Sequence, residues 1–183
     1  MRILGIDPGL QATGYGAIDY HRGRVSLVEG GLVETDSKAE LPARLEAIYR
    51  GVDEVLRQLM PDVAVVEELY SKYRNPRTAL LMAHARGAVL LALQHRRVQV
   101  IGYTASMVKR ALTGHGRASK VQVAGMVGQL LGLSLERVSD HVSDALALAL
   151  CHATPWAQAQ QPQSRRLGAR GLPVAPGKRG RRG

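Results

Sequence analysis

Four side chains able to hold a metal ion or move a proton stand at widely separated points of the chain: Asp7, Glu67, His141 and Asp144. Asp7 closes the apolar run Ile3-Leu4-Gly5-Ile6, and Glu67 closes Val63-Ala64-Val65-Val66. His141 and Asp144 lie within Ser139-Asp140-His141-Val142-Ser143-Asp144. If these groups meet, three carboxylates without a buried Lys or Arg repel strongly, and divalent cations are what keeps them ionised at neutral pH. Such oxygen-rich donor sets suit Mg²⁺ or Mn²⁺. Two ions about 3.5–4 Å apart can activate water and stabilise the leaving oxygen in phosphodiester hydrolysis. Each residue also has a plain alternative. Asp7-Pro8-Gly9 suits a turn, and Asp144 suits the positive end of a helix dipole. Asp140 suits the helix N-cap, the role favoured for it here.

The elements that must position these residues follow from apolar spacing. Arg2–Asp7 reads as a short buried strand stopped by Pro8 and Gly9, delivering Asp7 to a sheet edge where α/β proteins place ligands. Thr13–Tyr20 and Val25–Thr35, separated by His21-Arg22-Gly23-Arg24, complete an antiparallel meander. Leu41–Met60 has helical spacing with Pro42 in its first turn and Pro61 beyond its end. Asp62–Glu67 is then a second buried strand ending in a carboxylate. A strand-helix-strand crossover makes it parallel to the first, so both acids reach one edge. Pro76–Arg96 is a helix apolar over much of its circumference, more than one core-facing stripe needs, and part of it is expected to face another subunit. Val98–Gly102 is a further strand, and Ala105–Leu112, Ser119–Leu131 and Val142–Ala153 are helices. Gly114-His115-Gly116 reads as a plain loop in preference to a phosphate cradle.

Charge adds a partner. The formal net charge is +10, of which Pro155–Gly183 carries seven Lys or Arg and no acid. Between Glu68 and Glu136 there is no acid and there are ten basic residues, among them Lys72, Arg74, Arg77, Arg86, Lys109, Arg117 and Lys120. A solvated face normally mixes signs, so a polyanion is the better account, with nucleic acid the commonest. The single Cys151 excludes an internal disulfide and a Cys-rich zinc site and suits a reducing compartment. With Asp7 in the fold there is no room for a signal peptide, and the longest apolar runs are too short to span a bilayer. A cytoplasmic protein without membrane association is expected. The length suits one domain, 1–153, followed by a basic tail, 154–183, without periodicity and expected to be disordered.

The residues Gly5-Ile6-Asp7-Pro8-Gly9, Thr13-Gly14-Tyr15-Gly16, Leu41-Pro42-x-Arg44-Leu45, Val66-Glu67, Ala85-Arg86-Gly87, Val108-Lys109, Lys120-x-Gln122-Val123 and Asp144-Ala145-Leu146-Ala147 closely resemble the RuvC family of bacterial Holliday-junction resolvases. The resemblance covers about residues 1 to 153, in matching order and spacing. It implies an α/β, ribonuclease H-like fold with a mixed five-stranded sheet flanked by helices. It also implies a homodimer that resolves four-way DNA junctions by paired symmetric nicks, working with branch-migration proteins of the RuvA and RuvB type. By motif position, Asp7, Glu67, His141 and Asp144 match the family's metal-binding catalytic set, with two Mg²⁺ or Mn²⁺ ions per site. Many relatives have Asp where His141 stands; a His can still ligate either ion or take a proton. Glu68 faces the other side of its strand and is the weaker candidate. Lys109 and Lys120 match lysines that contact DNA near the scissile phosphate, and the bland reading for both is surface lysine. Tyr70 matches an aromatic position suited to stacking on an unpaired base, with Tyr73 a second candidate and core packing the alternative for both. Arg74 and Arg77 are expected on the phosphate backbone, with Arg117 in the same basic stretch.

Two other readings compete. The Asp7-x-Gly9-x-x-x-Thr13-Gly14 spacing resembles the phosphate-binding turn of actin-like ATPases, but those enclose a nucleotide between two such domains. A non-catalytic basic module that binds DNA junctions would not need acids at two strand ends and again on a closing helix.

Overall fold

The computed structural model describes residues 1–68, 76–134, 138–155 and 166–167. The chain runs β1 (Arg2–Asp7), β2 (Ala12–His21), β3 (Arg24–Glu34), α1 (Leu41–Leu59), β4 (Val63–Glu67), α2 (Pro76–His95), β5 (Gln99–Tyr103), α3 (Ala105–Thr113), α4 (Lys120–Leu131), α5 (Asp140–Ala153) and β6 (Arg166–Leu167). The sheet order is β3-β2-β1-β4-β5-β6. β1 to β3 form the antiparallel meander, while β1, β4 and β5 are mutually parallel, as crossover connections through helices require. The result is the mixed five-stranded sheet flanked by helices, extended at its edge by the two-residue β6, which pairs antiparallel with β5. That pairing lies within the stretch read from sequence as a structureless tail.

Alternation along the strands divides the core into two layers. Leu4, Ile6, Ala64, Val66 and Val100 pack against α1 and α2 on one face. Ile3, Val63, Val65, Ile101 and Tyr103 pack against α3, α4 and α5 on the other. Asp7 and Glu67 are two residues on from Gly5 and Val65, so the pleat aims both at the α3–α5 side. The β1–β4 register sets Ile6 level with Val66, which brings the two acids side by side at the strand ends.

Some boundaries differ from expectation. β5 begins and ends one residue later than its apolar run indicates, because its parallel register with β4 pairs Val63 with Gln99 and Glu67 with Tyr103. β4 begins at Val63, where its pairing with β1 starts opposite Ile3; Asp62 precedes it, its side chain accepting from the Arg2 N–H. The N-cap of α5 is Ser139 and not Asp140. The Ser139 side chain accepts from the His141 N–H at 3.2 Å, and Asp140 is the first helical residue. Ser and Asp compete for this role on nearly equal terms, and here the earlier residue takes it.

Candidate active site

α5 reaches the strand ends because glycines leave it room. A Cβ on Gly5 would collide with the Ala145 carbonyl and lie 2.9 Å from the Ala149 nitrogen. Gly14, the residue paired with Asp7 across the β1–β2 ladder, would carry a Cβ 2.8 Å from that of His141. Helix backbone therefore rests directly on strand backbone, and the first turn of α5 sits over Asp7.

There the imidazole Nδ1 of His141 is 2.7 Å from Oδ2 of Asp7. Asp7 is buried, and burial pushes its carboxyl above the usual range, with the His141 hydrogen bond acting in the opposite direction. Burial, with Asp7 and Asp144 adding negative charge nearby, pushes the half-buried Glu67 up to about 7. Asp144, one turn beyond His141 on the same helix face, accepts from Lys120 Nζ at 3.0 Å. Lys120 is also 3.7 Å from Asp140, and its hydrogen bond to Asp144 raises its ammonium pKa above the ordinary value. Lys120 opens α4, whose start is held by a reciprocal Ser119–Gln122 capping box. Lys109 comes from α3, capped by Thr104.

These six side chains line one cavity of about 480 Å³, with Met82 of α2 and apolar residues of α3 to α5 completing the wall. Six of the sequence-derived candidates are thus brought together. Arg77 and Arg117 are exposed and lie outside the cavity lining. Glu68 is also outside it; its N–H donates to the Tyr103 carbonyl at 2.9 Å and its side chain packs against Gly102. Tyr70, Tyr73 and Arg74 fall outside the described residues.

Two arginines of the family motifs carry roles that spacing did not suggest. Arg44 of α1 donates to the Leu10 carbonyl at 3.2 Å and to Thr35 at 3.0 Å, tying down the loop that follows Asp7. Arg86 of α2 donates to the Glu67 carbonyl at 3.0 Å. The turn after Asp7 is closed by Thr13, whose hydroxyl donates to the Gly9 carbonyl at 2.9 Å. Their presence in motifs was the available signal, but their partners are far away in sequence.

Chemically, the donor set is three carboxylates and one imidazole around one open space, the hard-donor chemistry a small divalent cation takes. The Glu67 carboxyl is raised first by burial and then by the negative charge of Asp7 and Asp144, with Lys120 and Lys109 acting in the opposite direction. Among the described residues no three His, Cys, Asp or Glu side chains converge tightly enough to enclose an ion as they stand. Asp7 is occupied by His141, and Asp144 by Lys120. Each of these contacts engages a single carboxylate oxygen, Oδ2, and the donor chemistry fits a small divalent cation.

Comparison with known proteins identifies the family. The family model described as crossover junction endodeoxyribonuclease RuvC matches residues 3–152. The protein of that name from Ralstonia nicotianae is 44% identical over 153 residues, covering 84% of this chain and 83% of its own. That of Trichlorobacter lovleyi is 45% identical over 156 residues, covering 85% and 86%. Among solved structures, T. thermophilus RuvC in complex with Holliday junction substrate matches with a TM-score of 0.80 and 37% identity, covering 87% of this chain and 96% of that one. With a family model spanning nearly the whole folded part and relatives this similar over most of their length, the chain belongs to the RuvC family.

Proposed function

We propose that this protein is a divalent-metal-dependent endonuclease that resolves four-way (Holliday) DNA junctions by paired, symmetric nicks. The observation that carries the reading is one cavity uniting Asp7, Glu67, His141 and Asp144 with Lys109 and Lys120. Mg²⁺ or Mn²⁺, two ions per site, is the cofactor these donors suit, and Asp7, Glu67, His141 and Asp144 are the residues that would hold it. When bound, such ions supply Lewis acidity and a water of lowered pKa. The chain supplies the rest. Asp7 orients the His141 ring through Nδ1, leaving Nε2 to ligate or to accept a proton. Lys109 and Lys120 bring positive charge to the phosphate as its charge grows in the transition state. Arg77 and Arg117, with Arg74, Tyr70 and Tyr73, grip the DNA beyond the cavity, Tyr70 stacking on an unpaired base.

Two active sites are needed for two strands, which a homodimer provides. α2 supports this, because it exposes Leu80 and Leu91 at 61% and 51%, on a helix apolar around its circumference. Residues 1–153 form the nuclease unit, and the tail from 154 adds non-specific affinity for DNA. Action in the cytoplasm beside branch-migration proteins of the RuvA and RuvB type completes the assignment; among the described residues no helix is long and apolar enough to cross a membrane. A purely DNA-coating protein accounts for the basic residues and leaves the buried acids unexplained.

The test is incubation with a synthetic mobile four-way junction, with and without Mg²⁺ or Mn²⁺, mapping nicks on all four strands. Paired nicks at symmetric positions are expected only with metal. Asp7→Asn is expected to shift the junction in a gel and leave it uncut; full cutting by that variant removes Asp7 from the site.

A further inference from the structure

The direction in which Glu67 enters the cavity is not set by β4 alone. Paired residues between β1 and β4 end at Ile6 and Val66, one short of Glu67, so the strand end needs other restraints. One comes from β5, where the Tyr103 carbonyl accepts from the N–H of Glu68 at 2.9 Å. A second is the packing of the Glu68 carboxylate on Gly102, where a Cβ would stand 2.6 Å from its oxygen. The third comes from the opposite layer. Arg86 Nε donates to the Glu67 carbonyl at 3.0 Å, from a half-buried position on α2. Met82, four residues earlier on the same helix face, lines the cavity itself. α2 is thus joined to the reacting site at two adjacent turns, and an Arg placed there has given up much of its hydration to make this contact.

We propose that Arg86 is a positioning residue for the reaction: it clamps the Glu67 backbone from α2 and so fixes the approach of that carboxylate to the cavity. The inference rests on the nuclease reading above. Arg86 touches neither DNA nor the reacting atoms in this role. Its removal should therefore leave junction recognition intact while loosening the geometry that metal binding and chemistry require.

The test uses full-length Arg86→Ala beside the wild-type protein, with four readouts: thermal unfolding, junction affinity in chelator, Mn²⁺ affinity of the protein–junction complex by electron paramagnetic resonance, and separate kcat and KM for cleavage. Loss of an outer partner of a metal ligand typically lowers metal affinity or activity about 10–100-fold. The expected result is a loss of that size in Mn²⁺ affinity and in kcat, with KM and metal-free junction affinity within about twofold of wild type. If Arg86→Ala does not fold, Arg86→Met keeps the buried stem, removes only the donors, and carries the same expectation. A folded variant with wild-type Mn²⁺ affinity and kcat overturns the proposal. So does a loss of junction affinity matching the loss of cleavage, which makes Arg86 a phosphate contact. Absence of cutting by the wild-type protein sinks the nuclease reading instead, so the two failures are distinguishable.

Discussion

Glu67→Gln in the metal-free protein gives the most direct check on the electrostatics of the cavity. Burial and the neighbouring Asp7 and Asp144 hold the Glu67 carboxyl at about 7, against an ordinary 4.5. The folded state therefore binds this proton more tightly than the unfolded chain does. Below pH 4.5 both states carry the proton and no penalty exists. As pH rises from 4.5 to about 7 the unfolded chain gives up this proton before the folded protein does, so stability falls, and the loss is complete once pH has passed about 7. A displacement of this size corresponds to a few kcal/mol; for a side chain that solvent partly reaches, the working figure is about 2 kcal/mol. Gln keeps the shape and removes the charge, so in chelator the variant should be more stable than wild type by about 2 kcal/mol at pH 8, a rise in melting temperature of roughly 4–8 °C. The gap should close by pH 4.5, and contributions of titrating groups outside the cavity cancel in the comparison. Urea unfolding of both proteins at pH 4.5, 6 and 8 measures it. Adding Mn²⁺ at pH 8 should reverse the order, since an ion bound only by the folded state adds about 2.7 kcal/mol at a hundredfold excess over its Kd. A stability difference independent of pH would refute the claim that this carboxylate is crowded and buried.

The same site makes further predictions. Lys120→Ala should lower kcat about 10²–10³-fold, the typical loss on removing one preorganised stabiliser of developing charge, with a smaller effect on junction affinity; normal cleavage at saturation would reduce Lys120 to a phosphate anchor. Gly14→Ala drives a Cβ into the His141 backbone carbonyl; overpacking costs about 1–3 kcal/mol and more where it meets backbone, and divalent-dependent cleavage should fall because the first turn of α5 is displaced from Asp7. Deleting the residues after Thr154 should flatten the salt dependence of DNA affinity, by about 0.9 in the log–log slope for each phosphate the tail neutralises, with the single-turnover cutting rate unchanged. An unaltered slope would show that the tail does not touch DNA.

What local sequence determined is the order of the elements from β1 to α5 and the C-terminal ends of β1 and β4. Asp7 and Glu67 were legible because each is the first charged residue after a short apolar run, with Pro8-Gly9 adding a stop after Asp7. The shared helix face of His141 and Asp144 was legible from their three-residue spacing, the acid-free basic stretch from composition alone, and the motif resemblance joined them to the two strand-end acids. Tertiary structure decided the contacts between elements. The His141–Asp7 bond spans 134 residues, and the pairing of Lys120 with Asp144, 24 residues apart, needs α4 and α5 packed side by side. The roles of Arg44 and Arg86 were invisible because a backbone carbonyl has no sequence identity; any residue at Leu10 or Glu67 offers the same acceptor. The one-residue offset of β5 and the short β6 are set by pairing register, and the choice of Ser139 over Asp140 as cap by how α5 meets the sheet. Side-chain spacing reports which face of its own element a residue occupies. Only the close approach of α5 over Gly5 and Gly14 turns those separate faces into one site.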